Sequence, residues 1–176
     1  MKRLSSVRSS NADAGFTLLE ILVVLIIAGV LAAIAAPSWT RYAANRQVQA
    51  VQGELRQLLE QAQTEARTKR ETQIVEIEAD TDLPTVTISD EAGATRTIEL
   101  GNSNIRPGVV TLATDIEDIR FDYQGVVNNP FIIDVESNNT DRPHCVAAIS
   151  LLGGVMSASD DECAELAAEL GGNDDN

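Results

Sequence analysis

The sequence predicts an α+β fold in which one long N-terminal helix packs on an antiparallel β-sheet head of about seven strands. Residues 16–36 form an apolar run with a single charge, and residues 37–72 continue with apolar residues at helical spacing. Beyond residue 72 the apolar spacing changes to two, which is typical of half-buried strands. We therefore divide the chain into a leader at 1–15, a membrane helix at 16–36, its amphipathic continuation at 37–72, a β-rich head at 73–163 and an acidic tail at 164–176.

The apolar run is long enough to cross a membrane. As a helix it would span roughly 30 Å, which matches the hydrocarbon core of a bilayer. The leader carries Lys2, Arg3 and Arg8, so the positive-inside rule places it in the cytoplasm and the head on the other side. Trp39 and Tyr42 follow the run directly, where interfacial aromatic residues belong.

An ordinary secretory signal peptide is the main alternative for this segment, with a small-residue cleavage site at Ala33–Ala35. Two features count against it. The apolar run is longer than the usual hydrophobic region of a signal peptide, and it contains Glu20 near its cytoplasmic edge. A carboxylate inside a membrane is costly, and a passive anchor gains nothing from it, so Glu20 indicates that a positively charged partner exists.

The stretch "GFTLLEILVVLIIAGVLAAIAAP", from Gly15 to Pro37, resembles the class III signal of type IV pilins and type II secretion pseudopilins. The resemblance implies that a prepilin peptidase cuts between Gly15 and Phe16 on the cytoplasmic side and N-methylates Phe16. It also implies that Glu20 pairs with the α-amino group of Phe16 on a neighbouring subunit and so sets the register of a filament. Pro37 stands where many pilin helices bend, and its missing amide proton by itself predicts a kink or local unwinding.

The helix is expected to continue beyond Pro37 to about Arg70 with one apolar face. The residues of that face recur at three- and four-residue spacing, and they are Val48, Val51, Leu55, Leu58, Leu59, Ala62 and Ala66. The polar residues assigned to the opposite face are Arg46, Gln49, Glu54, Arg56, Gln57, Glu60 and Gln63. We expect the apolar face to pack on the head.

Seven segments of the head have strand character. In chain order they are "IVEIEA", "TVTISD", "TRTIEL", "GVVTLAT", "DIRFDYQG", "FIIDVES" and "HCVAAISLLGGVMSA". Turn residues separate them at Asp82–Pro84, Asp90–Gly93, Asn102–Gly108 and Gly125–Pro130, and Gly153-Gly154 predicts a hairpin inside the last segment. The opening helix is expected to cover one face of this sheet.

Two stretches of the head narrow the resemblance. "IRFDYQGVV", followed later by "CVAAISLLGGVMSASDDEC", is similar to the GspH/FimT group of minor pseudopilins and minor pilins, which have an "F…G" strand and a closing strand–turn–strand flanked by cysteines. The ending "AELAAELGGNDDN" departs from that pattern and predicts a short acidic helix with a loose tail.

Cys145 and Cys163, the two cysteines of the chain, both lie in the exported head. In an oxidising compartment a disulfide between them is favoured over two free thiols, and it would contribute about 3 kcal/mol. The single histidine, His144, is expected to be an exposed residue at a strand start. No metal is expected, because His144 adjoins Cys145 and no CxxC motif is present.

No catalytic residues and no cofactor are expected. The sequence has no Gly-rich phosphate loop, no nucleophile elbow and no histidine placed to activate a serine. Asp160–Glu162 and Asp115–Asp118 are consistent with a calcium site, but the favoured interpretation is a solvated acidic loop, because no spaced ligand pattern is present. Asn138–Thr140 matches a glycosylation sequon, a short motif that often arises by chance.

The charge distribution disfavours nucleic acid as a partner. Residues 73–176 contain four basic and twenty-one acidic residues, a net charge of −17, and residues 143–176 contain no Lys or Arg. A FimT-like minor pilin that captures DNA is therefore only the second interpretation. The third is a membrane-anchored or secreted protein of unknown activity, such as an enzyme, for which the sequence shows no site.

The favoured interpretation is a structural one, a minor pseudopilin or minor pilin that joins or primes a periplasmic filament. The resemblance implies three kinds of partner besides the membrane: other pilins or pseudopilins, the prepilin peptidase and an inner-membrane assembly platform. It implies a single-pass protein of the bacterial inner membrane with its head in the periplasm. Whether the host machine is a type II secretion system or a type IV pilus is left open at this point.

Overall fold

The long helix α1 spans Leu18–Lys69. A computed structural model describes residues 16–78, 83–101, 105, 107–150 and 154–171, without the side chains of residues 36 and 37. The chain divides into two compact units, Met1–Ser38 and Trp39–Asn176, so the second half of α1 belongs to the same unit as the strands.

The apolar face predicted for the second half of α1 is confirmed, since all seven of its residues are buried in one core. The helix ends where Arg70 adopts a left-handed conformation with φ of 59°. There the Glu71 amide donates to the Ala66 carbonyl at 3.3 Å, a bond that satisfies one of the last free carbonyl groups. Arg67 and Lys69 in the last turn face the negative end of the helix dipole, which stabilises this end further.

Pro37 does not interrupt the helix, so the local unwinding expected there is not observed. The kink itself stays a prediction. The leader, including Gly15, lies outside the described residues, as do residues 172–176 of the predicted tail.

The head contains two antiparallel sheets rather than one. The first has the order β3-β2-β1-β5 and is built from β1 (Gln73–Glu78), β2 (Thr85–Asp90), β3 (Thr95–Glu99) and β5 (Asp118–Phe121). The second has the order β4-β6-β7-β8 and is built from β4 (Thr111–Ala113), β6 (Phe131–Glu136), β7 (His144–Ala148) and β8 (Met156–Ser159).

The α+β prediction is thus confirmed with eight strands instead of about seven. The difference arises in the last predicted segment, which divides into β7 and β8, paired antiparallel with His144 opposite Ser159 and Ala147 opposite Met156. The expected turn at Gly153-Gly154 falls partly outside the described residues, as do those at Asp82–Pro84 and Asn102–Gly108. The predicted segment "GVVTLAT" contributes only the three residues of β4.

One aliphatic core lies between the helix and both sheets. Its strand residues come from alternate positions, as the period of two requires, and include Val75, Val86, Ile88, Ile119, Phe121, Phe131, Ile133, Val135 and Val146. Strand β7 is an exception to the alternation, because all five of its residues are buried. It pairs with β6 on one side and β8 on the other, and so it is an inner strand of the second sheet.

A second helix, α2 (Asp161–Gly171), follows β8 directly. The short acidic helix predicted in the tail is confirmed, although it begins three residues before 164. Asp161 and Glu162 occupy its first turn, where the helix dipole favours negative charge. Cys163 and Leu166 turn inward and pack with Cys145, Ala158 and Ile132 in a small second cluster.

Candidate assembly site

The first turn of α1 carries the predicted assembly residues. The Thr17 hydroxyl accepts a hydrogen bond from the Glu20 amide at 3.2 Å, and the Ile21 amide donates to the Thr17 carbonyl at 3.2 Å. Thr17 therefore acts as the N-cap, and Thr17 to Glu20 has the S/T-x-x-E spacing of a capping box. Phe16, the predicted new N-terminus, lies one residue before the cap.

Glu20 is exposed in this structure and lies within an apolar surface. Every large apolar side chain from Phe16 to Ile34 is exposed, with exposed fractions between 43% and 85%. Within the described part of the chain, α1 is the one helix long and apolar enough to cross a membrane; its most apolar window has mean hydropathy 2.9 and is 0% buried. An exposed apolar surface of this size is typical of a segment that lipid or other protein covers, and a carboxylate under such a cover is costly unless a positive group meets it.

Polar side chains of α1 attach the helix to the head. Gln52 donates to the carbonyl oxygens of Cys145 and Ala158, at 2.9 and 2.6 Å, and so bridges β7 and β8. Gln63 donates to the Gly125 carbonyl at 2.8 Å. Both glutamines are buried, so the assignment of Gln63 to the polar face was wrong and Gln52 was missed. Their positions next to apolar-face residues were the available signal, since they fall within the same helical stripe.

His144 begins strand β7, as predicted, but the expectation that it is exposed was wrong. Its ring is buried, and Nε2 lies 2.8 Å from Asn45 Oδ1 on α1. Nδ1 is buried without a hydrogen-bond partner among the described residues. Burial lowers the pKa of His144 below its ordinary value, Asp160 opposes this shift, and Arg142 adds to it.

Cys145 and Cys163 form the predicted disulfide, with their Cα atoms 5.9 Å apart. The bond joins β7 to the first turn of α2 and lies within the second apolar cluster. It therefore holds α2 against the sheet rather than closing a hairpin of two strands.

The acidic stretch Asp160–Glu162 has a structural explanation. Asp160 has φ of 56°, its amide donates to the Pro143 carbonyl, and its own carbonyl accepts from Cys163, so it forms the turn into α2. Among the residues that the structure describes, no group of three or more His, Cys, Asp or Glu side chains is placed to hold a metal ion.

The N-terminal part of the chain is similar in sequence to known proteins. A family model described as the prokaryotic N-terminal methylation motif matches residues 10–36. The chain is 49% identical over 45 residues to the type IV major alpha-pilin of Moraxella bovis, and equally to fimbrial protein Q of the same organism. These matches cover 26% of this chain and only 28% and 29% of the two relatives.

In sequence, the N-terminal segment of this chain is similar to those of type IV pilins. In structure, the chain is similar to the type IV minor pilin FimU of Pseudomonas aeruginosa, with a TM-score of 0.53 and 18% sequence identity. That match covers 66% of this chain and 92% of FimU, and at this identity it establishes the fold. The similarity in sequence thus concentrates in the apolar helix, and the similarity in structure extends to the head.

Proposed function

We propose that this protein is a structural subunit of a type IV pilus, a minor pilin that joins or primes the filament from the inner membrane, with its head in the periplasm. The observation that carries the proposal is the exposed apolar surface of α1, which bears the prepilin motif at its start and leads into a head with the minor-pilin fold. A surface of this kind can be covered by lipid before assembly and by neighbouring helices afterwards.

Maturation would begin with cleavage between Gly15 and Phe16 by the prepilin peptidase, followed by methylation of Phe16. The cap at Thr17 supports this, because the helix begins after Phe16 and so does not include it. Intact-mass analysis of membrane-extracted protein should give a chain starting at methylated Phe16. A mature chain starting at Ala36 would restore the signal-peptide interpretation.

The new α-amino group of Phe16 would supply the positive charge that Glu20 needs. Pairing within one subunit and pairing between subunits both neutralise Glu20, but only the second couples neutralisation to assembly. An incoming subunit would meet the carboxylate of a subunit already in the filament, and this would fix their register.

Glu20→Gln tests this role. The variant keeps the Thr17 cap, since the cap bond is made by the backbone amide of residue 20. We therefore expect export and cleavage nearly as in the wild type, and a clear loss of crosslinking to co-expressed pilins in membranes. Glu91→Gln, an exposed turn residue of the head, is the matched control. Undiminished crosslinking and full piliation with Glu20→Gln would show that Glu20 is a tolerated charge without a role in assembly.

The type II secretion pseudopilus is the alternative host, together with an inner-membrane assembly platform of that system. The names of the similar proteins favour the pilus, since all three are pilus or fimbrial proteins. Co-expression with the minor pilins of a pilus, and separately with pseudopilins, should give specific crosslinks in the first case. Crosslinks in the second case alone would assign the protein to secretion. In either host we propose that the protein is not an enzyme.

A further inference from the structure

Three arginines, Arg41, Arg46 and Arg142, lie near Tyr42, a residue of α1 that closely follows the apolar run. Arg46 donates from Nε to the Tyr42 hydroxyl at 3.0 Å, and its guanidinium lies 5.3 Å from the centre of the Tyr42 ring. Arg41 and Tyr42, together with Arg142 from the loop before β7, line one surface pocket. Trp39 lies beside Tyr42, with ring centres 6.2 Å apart.

The pocket has a volume of about 300 Å³. Besides Arg41, Tyr42 and Arg142, it is lined by Asn45, Thr140 and Asp141. The side chains of Arg41, Tyr42 and Arg142 are exposed. The pocket therefore presents two guanidinium groups, a phenol hydroxyl and an amide to the solvent, all of which can donate hydrogen bonds to an anion.

Arg41 and Arg142 differ from several other cations of this compact unit in their ion pairing. Arg56 pairs with Glu60 at 2.8 Å, Arg96 with Glu65 at 3.4 Å, and Arg120 with Asp118. Among the residues with described placement, no carboxylate forms an ion pair with Arg41, Arg46 or Arg142. Arg67 and Arg70 also form no ion pair with a described carboxylate, so the feature that sets Arg41 and Arg142 apart is that both line one pocket. Two guanidinium groups at one pocket suit an anionic ligand from outside the chain.

We propose that this arginine pocket binds the phosphodiester of an anionic phospholipid headgroup. Guanidinium groups match phosphate oxygens in a bidentate arrangement, and tyrosine and tryptophan favour the headgroup level of a bilayer. Arg41 follows the apolar run by five residues in the same helix, so the chain reaches the headgroup layer where the pocket residues begin. The inference rests on the membrane anchor of the proposed function and adds a binding site to it.

The charge of the head favours a lipid diester over free phosphate. The field of twenty-one acidic residues repels a dianion more than a monoanion, and Asp141 lies in the pocket wall itself. A free anion must also be collected from dilute solution, whereas an anchored chain meets headgroups at high effective concentration. The pocket thus suits a singly charged phosphate that the membrane supplies.

The test uses the full chain in detergent and counts bound lipids by native mass spectrometry as phosphatidylglycerol is added. We expect the double variant Arg41→Gln/Arg142→Gln to lower the apparent affinity about five-fold for each arginine removed. The matched control, Arg56→Gln/Arg120→Gln, changes the net charge equally at exposed arginines outside the pocket and should shift the affinity less than two-fold. Asp141→Asn should raise the affinity.

Three outcomes would overturn the proposal. An equal loss of lipid affinity in both double variants would mean that net charge alone attracts the lipid. If phosphatidylcholine or inorganic phosphate bound with the same affinity as phosphatidylglycerol, the ligand would not be an anionic lipid. Unchanged lipid binding combined with lost crosslinks to co-expressed pilins would assign the pocket to an acidic protein partner. Retention of all variants in the membrane fraction tests the anchor separately, because the substitutions lie outside the apolar run.

Discussion

Gln52 shows how one buried polar side chain can fix a helix on a sheet. Its amide nitrogen donates to two backbone carbonyl oxygens, one on β7 and one on β8, so it specifies both the rotation of α1 and its position along the strands. An apolar residue of similar size would fill the space but would leave both carbonyl groups without this donor.

We predict that Gln52→Leu lowers the free energy of unfolding by about 1–3 kcal/mol, the cost of removing a buried donor from its acceptors. Gln57→Leu is the control, because Gln57 is exposed on the same helix and the same substitution there should change stability by less than about 0.5 kcal/mol. Chemical denaturation of the two variants beside the wild type measures the difference. Equal effects would show that the two hydrogen bonds of Gln52 add nothing to stability.

His144 makes the stability of the head depend on pH. Its pKa is lowered in the folded state, chiefly by burial, so the unfolded chain binds a proton at a higher pH than the folded chain does. Stability is therefore fully present above the ordinary pKa of 6.5 and is lost as pH falls below that value toward the lowered one. Asp160 favours the charged ring and Arg142 disfavours it, but burial is the largest cause and so the pKa of His144 is lowered.

Thermal unfolding between about pH 7 and pH 5 should show this loss in the wild type and a flatter profile in His144→Gln, which can still donate to Asn45. Asp134 changes the stability of the head in the opposite sense. Burial, with Glu136 and Asp115 nearby, raises its pKa, so the folded state gains relative stability as pH falls through that raised value. Identical profiles for wild type and His144→Gln across this range would contradict the assignment to His144.

At the scale of elements, the turn after β5 explains the "F…G" signature of the sequence. Phe121 ends the strand and is fully buried, and Gly125 occupies a position with φ of 74°. Between them the Asp122 carboxylate accepts from the amides of Gln124 and Val126, both at 2.8 Å, and the Gly125 amide donates to the Asp122 carbonyl at 2.7 Å. The spacing therefore reflects a buried strand end followed by an aspartate-capped turn.

Gly125 also allows the Arg67 side chain of α1 to pack closely against this turn. A Cβ atom there would overlap the side chain of Arg67, whose Nε donates to the Gln124 carbonyl at 3.0 Å. Gly93 has a similar conformation, with φ of 85°, but a Cβ atom would meet open space. The two glycines thus share the backbone requirement and differ in their neighbours.

We predict that Gly125→Ala destabilises the protein by about 1 kcal/mol more than Gly93→Ala. Both pay the penalty of a left-handed alanine, and only the first displaces Arg67 from its hydrogen bond. In an Arg67→Ala background the difference should largely disappear, which equilibrium unfolding of the four variants can measure. A difference that persists in this background would place its cause elsewhere in the turn.

At the scale of the whole molecule, residues Trp39–Asn176 form a compact unit of their own. The buried core draws on α1 from Ala44 onward and on no described residue before it. We therefore predict that a chain lacking residues 1–38 is soluble and folded, and that Cys145→Ser lowers its free energy of unfolding by about 3 kcal/mol.

The wild-type head in reductant is the control for this variant, since it should unfold at the same denaturant concentration as Cys145→Ser. Non-reducing peptide mapping should recover Cys145 joined to Cys163. Alkylation of both cysteines in periplasmic material without prior reduction would contradict the disulfide. An aggregated truncated chain would show that the head depends on the removed segment.

The sequence by itself determined the features that depend on neighbours along the chain. The apolar run, its Glu20 and the face from Val48 to Ala66 follow from composition and from the 3.6-residue period, because a helix brings residues three and four apart to one side. The alternation of the strands and the acidic start of α2 are local in the same sense. These predictions were correct or, for Glu20 and the cleavage junction, remain predictions about assembly.

Only the tertiary structure decided the features that join distant residues. The burial of His144 depends on Asn45, and the arginine pocket joins residues 41 and 142. The division of the head into two sheets depends on which strands pair, and a period of two is the same for every partner. Gln52 reads as one polar residue of an amphipathic helix until β7 and β8 present their carbonyl oxygens to it. Strand pairing and packing across long separations bring these groups together, and the local pattern does not identify the partner of any of them.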